Sequence, residues 1–297
     1  MVFRSSTRKF TPSNKGLLLR SFSFLVESIR LKNCFSSPRL TRNLLKRNHP
    51  DEEGYLSTGL WTQAAYINHS CVPNCNRSFI GDMMILRATS DIPAGTEITH
   101  QYMAPDPPYK ARQKSFRTNW EFECDCPLCS AEKQSSDFEH QQRWDVVKKI
   151  KADVMKWSPG SKIPIATIRY IERLKKKLEY LHEQEIYKDI PRLSLVYPTI
   201  WLAEAYRSLR NPAKTIKYAL EILRNFGFVN PVRDGIQLQL DYSRAITNRE
   251  SLNALLYAAE AYQVIGKLEL AKQCEIEAKR MFLILSGSSE GYEGTIY

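Results

Sequence analysis

Three cysteines stand within six residues, as Cys124-x-Cys126-x2-Cys129. Thiols two residues apart are poorly placed to bridge one another as a disulfide. In a reducing compartment such a cluster is more often a set of metal ligands. Three thiolates from one tight loop suit a structural Zn2+, which is tetrahedral and wants a fourth ligand. Cys71 or Cys75 can supply it from a distance. Such a site pins two loops together, and its binding energy counts towards folding. The other two of the seven cysteines, Cys34 and Cys274, stand alone and read as core residues.

Three further segments carry functional side chains in a fixed order. The first is Asn68-His69-Ser70-Cys71-Val72-Pro73-Asn74-Cys75, preceded by Gly59-Leu60-Trp61. The second is Glu97-Ile98-Thr99-His100-Gln101-Tyr102, preceded by the turn-like run Arg87–Gly95. The third is Trp120-Glu121-Phe122-Glu123-Cys124-Asp125-Cys126, closed by Cys129. Together they resemble the NHSCxPN, EIxxxY and post-SET cysteine segments of SET-domain protein-lysine methyltransferases. The subgroup they resemble is the SET and MYND (SMYD-like) proteins, and within it SET proteins with tetratricopeptide-like (TPR-like) helices.

That resemblance implies an α+β fold: a partial SET-type β-fold, a post-SET zinc loop, then an antiparallel α-helical, TPR-like domain. It implies an enzyme that moves a methyl group from S-adenosylmethionine to a lysine of a protein, histones included. By position, Tyr102 is the catalytic tyrosine. Asn68, His69, Phe122 and Asn33 contact S-adenosylmethionine, with Phe122 packing on the adenine. Cys71, Cys124, Cys126 and Cys129 hold Zn2+, and Cys75 is left as a bystander or competing ligand. The glycine-rich GxG strand that opens SET domains is not legible upstream of Asn68. The first 30 residues therefore read as a truncated or replaced start. The same gap motivates a second reading, an inactive SET-derived scaffold that binds protein partners through its helical part.

Elements must hold these residues in place. Phe79–Leu86 reads as a hairpin turning at Gly81-Asp82, Asp91–Gly95 as a further turn, and Thr96–Tyr102 as a short β-prone run. From about Asp137 the pattern is helical, with Ile168, Ile171, Leu174, Leu178 and Leu181 at three- and four-residue spacing. Pro191, Pro198, Pro212 and Pro231 are expected to start or stop helices. Trp201–Tyr206 and Ala258–Tyr262 resemble each other and match the small/large packing of TPR-like hairpins. Their tyrosines lie 56 residues apart rather than the roughly 34 of a clean tandem array. An ordinary helical bundle fits the same pattern. The expected divisions are 1–30, 31–104, 105–134 and 135–297.

Charge narrows the function classes. The chain carries a formal charge of +11. Residues 1–50 hold eleven Lys/Arg against one acid, Glu27, so the other 247 residues are nearly neutral. The body is therefore not expected to bind nucleic acid directly. No apolar run approaches the ~18 residues of a membrane span. The basic, Ser-rich start resembles a mitochondrial transit peptide, but a nuclear or cytoplasmic location is the first expectation.

Overall fold

The computed structural model describes residues 61–80, 83–156, 163–183, 185–229, 232–233 and 237–294. It adds the strand backbone of 23–26, 29–30, 45–46 and 58–60. Asn33, Cys34, Gly81, Asp82 and Pro231 lie outside the described residues.

Among the described residues the first half is mainly strand. β1 (Ser23–Val26), β2 (Ile29–Arg30), β3 (Leu45–Lys46) and β4 (Thr58–Leu60) precede β5 (Asn68–His69). β6 (Cys75–Ile80), β7 (Met83–Ala88) and β8 (Thr99–His100) follow. β6 and β7 form the expected hairpin, paired antiparallel out to Ile80↔Met83, so two residues join them. β1 adds to the far edge of β7 in the register Phe24↔Leu86. One face of this sheet buries Cys75, Met84 and Leu86 with Trp61, Ala64 and Ile92. The turn after β7 is built as expected. Thr96 N–H donates to the Pro93 carbonyl, and Gly95 takes the left-handed conformation (φ +84°) that the third residue of such a turn requires.

The decisive pairing is short. β5 runs parallel to β8, with Asn68 opposite Thr99 and His69 opposite His100. Asn74 fixes it from outside the strands. Its amide donates to the Glu97 carbonyl (2.8 Å), and its Oδ1 accepts from the Thr99 N–H (2.9 Å).

The second half is helical. α1 (Tyr109–Trp120) and α2 (Pro127–Lys133) flank the cysteine loop, followed by α3 (Asp137–Val154) and α4 (Ile165–Tyr180). α5 (Leu193–Ser208), α6 (Pro212–Asn225), α7 (Arg249–Val264) and α8 (Leu268–Ser286) complete the chain, with a small β9–β10 ladder (Val232–Arg233, Gln237–Leu238) between α6 and α7. α3 opens on a full capping box, Ser136 with Glu139. α4 buries Ile168, Ile171 and Leu178, as its spacing predicts. Pro198 departs from expectation, because it lies inside α5. Leu195, Pro198, Thr199 and Leu202 form one buried face of that helix, and their packing outweighs the lost backbone hydrogen bond.

α5–α6 and α7–α8 are two antiparallel hairpins with the same turn. Leu209 N–H bonds the Ala205 carbonyl, and Asn211 N–H the Tyr206 carbonyl. Fifty-six residues later Ile265 bonds Ala261, and Lys267 bonds Tyr262. Arg210 (φ +52°) occupies the left-handed position that Gly266 (φ +75°) fills in the second copy.

The two halves meet where α8 ends on β6. Asn76 Nδ2 donates to the Ile284 carbonyl (3.1 Å), and Arg87 Nη2 to that of Gly287 (3.0 Å). A Cβ on Gly287 would stand 2.5 Å from Ser78 Oγ, and its φ is +80°. Glycine is required there on both counts. Among the described residues, no helix is long and apolar enough to cross a membrane.

Two buried histidines set an acid limit on stability. Burial pushes the imidazole of His100 down to about 4 and that of His182 down to about 3. The unfolded chain protonates each near pH ~6.5, so it binds more protons than the folded chain below that pH. Their contribution is complete above pH ~6.5 and is lost as pH falls towards 4 and then 3. Calorimetric Tm should decline over this window, and His182→Gln should reduce the slope.

Candidate functional site

The metal-ligand candidates converge. The sulfurs of Cys71, Cys124, Cys126 and Cys129 all lie within 4.8 Å of one another, and every residue but Cys126 is buried. Cys71 and Cys129 Sγ are 3.6 Å apart. A disulfide would need about 2.0 Å, whereas the edge of a tetrahedron with ~2.3 Å metal–sulfur bonds is about 3.8 Å. Donor type, number and spacing therefore fit a tetrahedral cation, and the cluster could hold Zn2+. Cys75 sits elsewhere, in the apolar face of the sheet.

Local sequence explains the loop. Pro127 occupies the first turn of α2, where its fixed φ favours helix entry and it lacks an N–H that would go unpaired. That start turns the chain between Cys126 and Cys129. Gln113 of α1 clamps the other end, donating to the Cys124 carbonyl (2.8 Å) and accepting from the Cys124 N–H (3.0 Å). Arg112 is 1% exposed. Its guanidinium donates to the Pro105 and Pro107 carbonyls, to Glu132 and, at 3.6 Å, to Cys129 Sγ. A cation aimed at the cluster partly offsets the charge of four thiolates. Phe116 and Leu128 complete an apolar shell, against which Ile190 and Leu193 of the helical half pack.

The thiols feel each other strongly. A hydrogen bond to Cys124 holds the Cys71 thiol far above the ordinary range, while bonds from Cys126, Cys129 and Cys71 hold Cys124 far below it. Four such groups ionise together only around a cation.

Tyr102 lies directly beside this cluster. Its Oη donates to the Ile67 carbonyl (2.8 Å), and its N–H donates to His69 Nδ1 (3.0 Å). Its ring is surrounded by His69, His100, Trp120 and Phe122, with centroids 5.2–6.2 Å away. Burial, and secondarily the charge of Glu97, raises the phenol above its ordinary range, so it stays protonated at neutral pH. Phe122 is half-buried and stacks on Phe116 at 5.2 Å. Asn68 is exposed, with its amide donating to Glu97 Oε1 (2.6 Å).

Of the sequence-predicted residues, Tyr102, His69, Phe122 and the four cysteines form one contiguous group. Asn68 stands at its exposed rim, and Asn33 lies outside the described residues. Sequence reasoning missed Arg112, Gln113, Asn74 and the partnership of Glu97 with Asn68. Only Glu97 and Asn74 stand inside recognised motifs. Arg112 and Gln113 are ordinary residues on a polar helix, and nothing in their spacing marks them.

Comparison with known proteins meets this geometry. Residues 18–103 match the SET domain family model. That stretch is similar to SET domains, and the relatives it matches include SET/SMYD-type protein-lysine methyltransferases. It is 45% identical over 131 residues to a protein named methyltransferase in Gibberella zeae, covering 41% of this chain and 18% of that protein. It is 37% identical over 82 residues to the mouse histone-lysine N-methyltransferase SMYD3, covering 28% of this chain and 19% of the relative. It is 37% identical over 83 residues to the human protein-lysine N-methyltransferase SMYD4, covering 26% and 10%. The chain thus spans less than a fifth of each of these relatives. The SET match begins at residue 18, and β1 at 23–26 already pairs with β7.

The site predicts which cysteine matters. Cys71→Ser and Cys129→Ser should each lose the bound zinc and lower Tm, while Cys75→Ser should keep it. Elemental analysis with thermal unfolding checks this. Because the thiols must shed protons to bind, metal affinity should fall as pH falls.

Proposed function

We propose that this chain is a protein-lysine N-methyltransferase that draws its methyl group from S-adenosylmethionine. Zn2+ held by Cys71, Cys124, Cys126 and Cys129 would serve structure rather than chemistry, since four thiolates leave it no open position. The observation that carries the reading is the Tyr102 phenol, hydrogen-bonded to the Ile67 carbonyl within a ring of aromatic side chains. Two oxygens and several π-faces around one point are a donor set suited to a sulfonium cation.

When bound, S-adenosylmethionine supplies a methyl group already activated on sulfur. What the chain must add is alignment and desolvation. Tyr102 Oη and the Ile67 carbonyl would orient that methyl group and stabilise the charge that develops during transfer. Tyr102 acts as a neutral phenol, because its proton is held above the ordinary range. The incoming lysine must arrive as the free amine. Excluding water from the lysine's path would favour that form, because desolvation penalises the ammonium. We assign cofactor contacts to Asn68, Phe122 and the backbone of His69 by position, and to Asn33 on the family resemblance alone.

On this reading the chain divides into a SET part that runs to residue 104 and takes in β1, a zinc loop at 105–134 and a helical part at 135–297. The repeated turn of α5–α6 and α7–α8 supports a TPR-like kinship for the helical part, and peptide partners are its proposed ligands. Free thiolates need a reducing compartment, which favours the nucleus or cytoplasm.

Purified protein should bind S-adenosylmethionine by calorimetry and transfer labelled methyl to lysine in histone or other protein mixtures. Tyr102→Phe should cut transfer by roughly 10²–10³-fold while leaving cofactor affinity within a few-fold. A wild-type chain that neither binds the cofactor nor methylates any protein contradicts the proposal.

A further inference from the structure

The side chain of His69 is committed elsewhere than to a cofactor. Its Nδ1 accepts the backbone N–H of Tyr102 (3.0 Å), and its Nε2 faces Cys71 Sγ (3.4 Å). A backbone N–H can only donate, so Nδ1 must offer its lone pair. The proton of a neutral imidazole then sits on Nε2, aimed at sulfur. A metal-bound thiolate is the acceptor that such a donor suits. The ring is also wedged by packing. Its centroid is 4.5 Å from that of the fully buried Phe116 and 5.3 Å from that of Tyr102.

We propose that His69 is a positioning residue whose imidazole transmits the location of the metal-bound Cys71 thiolate to the backbone of Tyr102. This rests on the proposed reading of the four-cysteine site and of Tyr102, and it reassigns the His69 side chain within that reading. The consequence is mechanical. β8 is only two residues long and ends at His100, so no strand pairing holds the backbone at Tyr102. Three polar anchors do so instead. The neighbouring Gln101 donates its amide to the Cys71 carbonyl (2.9 Å), Tyr102 N–H donates to His69, and Tyr102 Oη donates to the Ile67 carbonyl. Two of these three lead to Cys71, the ligand that joins the distant loop to the cluster. The metal therefore sets the height of the tyrosine, although it takes no part in the methyl transfer.

The test uses the 297-residue chain loaded with 113Cd2+ in place of zinc and labelled with 15N-histidine. The expected result is the Nε2–H tautomer for His69, with a scalar coupling between 113Cd and that proton across the N–H···S bond. An Nδ1–H tautomer, or a 113Cd-loaded protein without the coupling, overturns the proposal. Failure of the chain to bind 113Cd2+ at all is a different outcome, which removes the underlying metal-site reading.

A variant gives an independent check. Asn at position 69 can place an acceptor near the Nδ1 position but cannot reach the sulfur. His69→Asn should lower kcat by roughly 10–100-fold, the usual cost of losing an outer-shell partner, with S-adenosylmethionine affinity nearly unchanged. His69→Gln, which can extend an N–H towards sulfur, should retain the 113Cd coupling through its amide proton. A His69→Asn variant that binds metal normally but loses cofactor affinity with kcat intact would place the His69 side chain in the cofactor site instead.

Discussion

Four sulfurs within 4.8 Å of one another are the constraint on which the rest of this molecule depends. As thiols they compete for protons, and as thiolates they repel. A bound cation would make the arrangement favourable and would hold residue 71 to residues 124–129. Two of the three polar anchors of Tyr102 lead to Cys71, one member of that join. The parallel β5–β8 pairing supplies only two residue pairs, too few to fix a loop on their own. The cluster, its apolar shell and the clamp from Gln113 supply the remainder.

The surroundings show how a polar site is made tolerable inside a protein. Arg112 is buried almost completely, a position a cation occupies only when paired. Here it meets two carbonyls, a carboxylate and a ligand sulfur. The helical half takes part as well. Ile190 and Leu193 close the shell around the cysteines, and the end of α8 presses Gly287 onto β6. The helical region is thus a structural partner of the SET half, whatever further ligands it binds.

Much of this was legible from residue order. Thiol spacing announced a cysteine cluster that could hold a metal, and the three linked motifs announced the SET match. The β6–β7 hairpin and the buried face of α4 followed from periodicity. What could not be read were the contacts that depend on tertiary approach. The choice between Cys71 and Cys75 rested on the resemblance until the sheet was seen to bury Cys75. Arg112 and Lys175 look like solvated charges in sequence. Yet Lys175 is 5% exposed and lies 2.6 Å from both Glu179 and Glu221. Pro198 misled because helix-breaking is a local rule, whereas its place in α5 was decided by packing. Nothing in the sequence shows that the two ring nitrogens of His69 meet the Tyr102 N–H and Cys71 Sγ.

Zinc K-edge X-ray absorption on the purified chain tests the central claim most directly, because it counts the atoms around the metal. The expected result is a single shell of four sulfurs at about 2.3 Å and no nitrogen or oxygen. A shell of three sulfurs and one imidazole nitrogen at about 2.0 Å would contradict it. It would make His69 a ligand and break the link between the Cys71 thiolate and Tyr102.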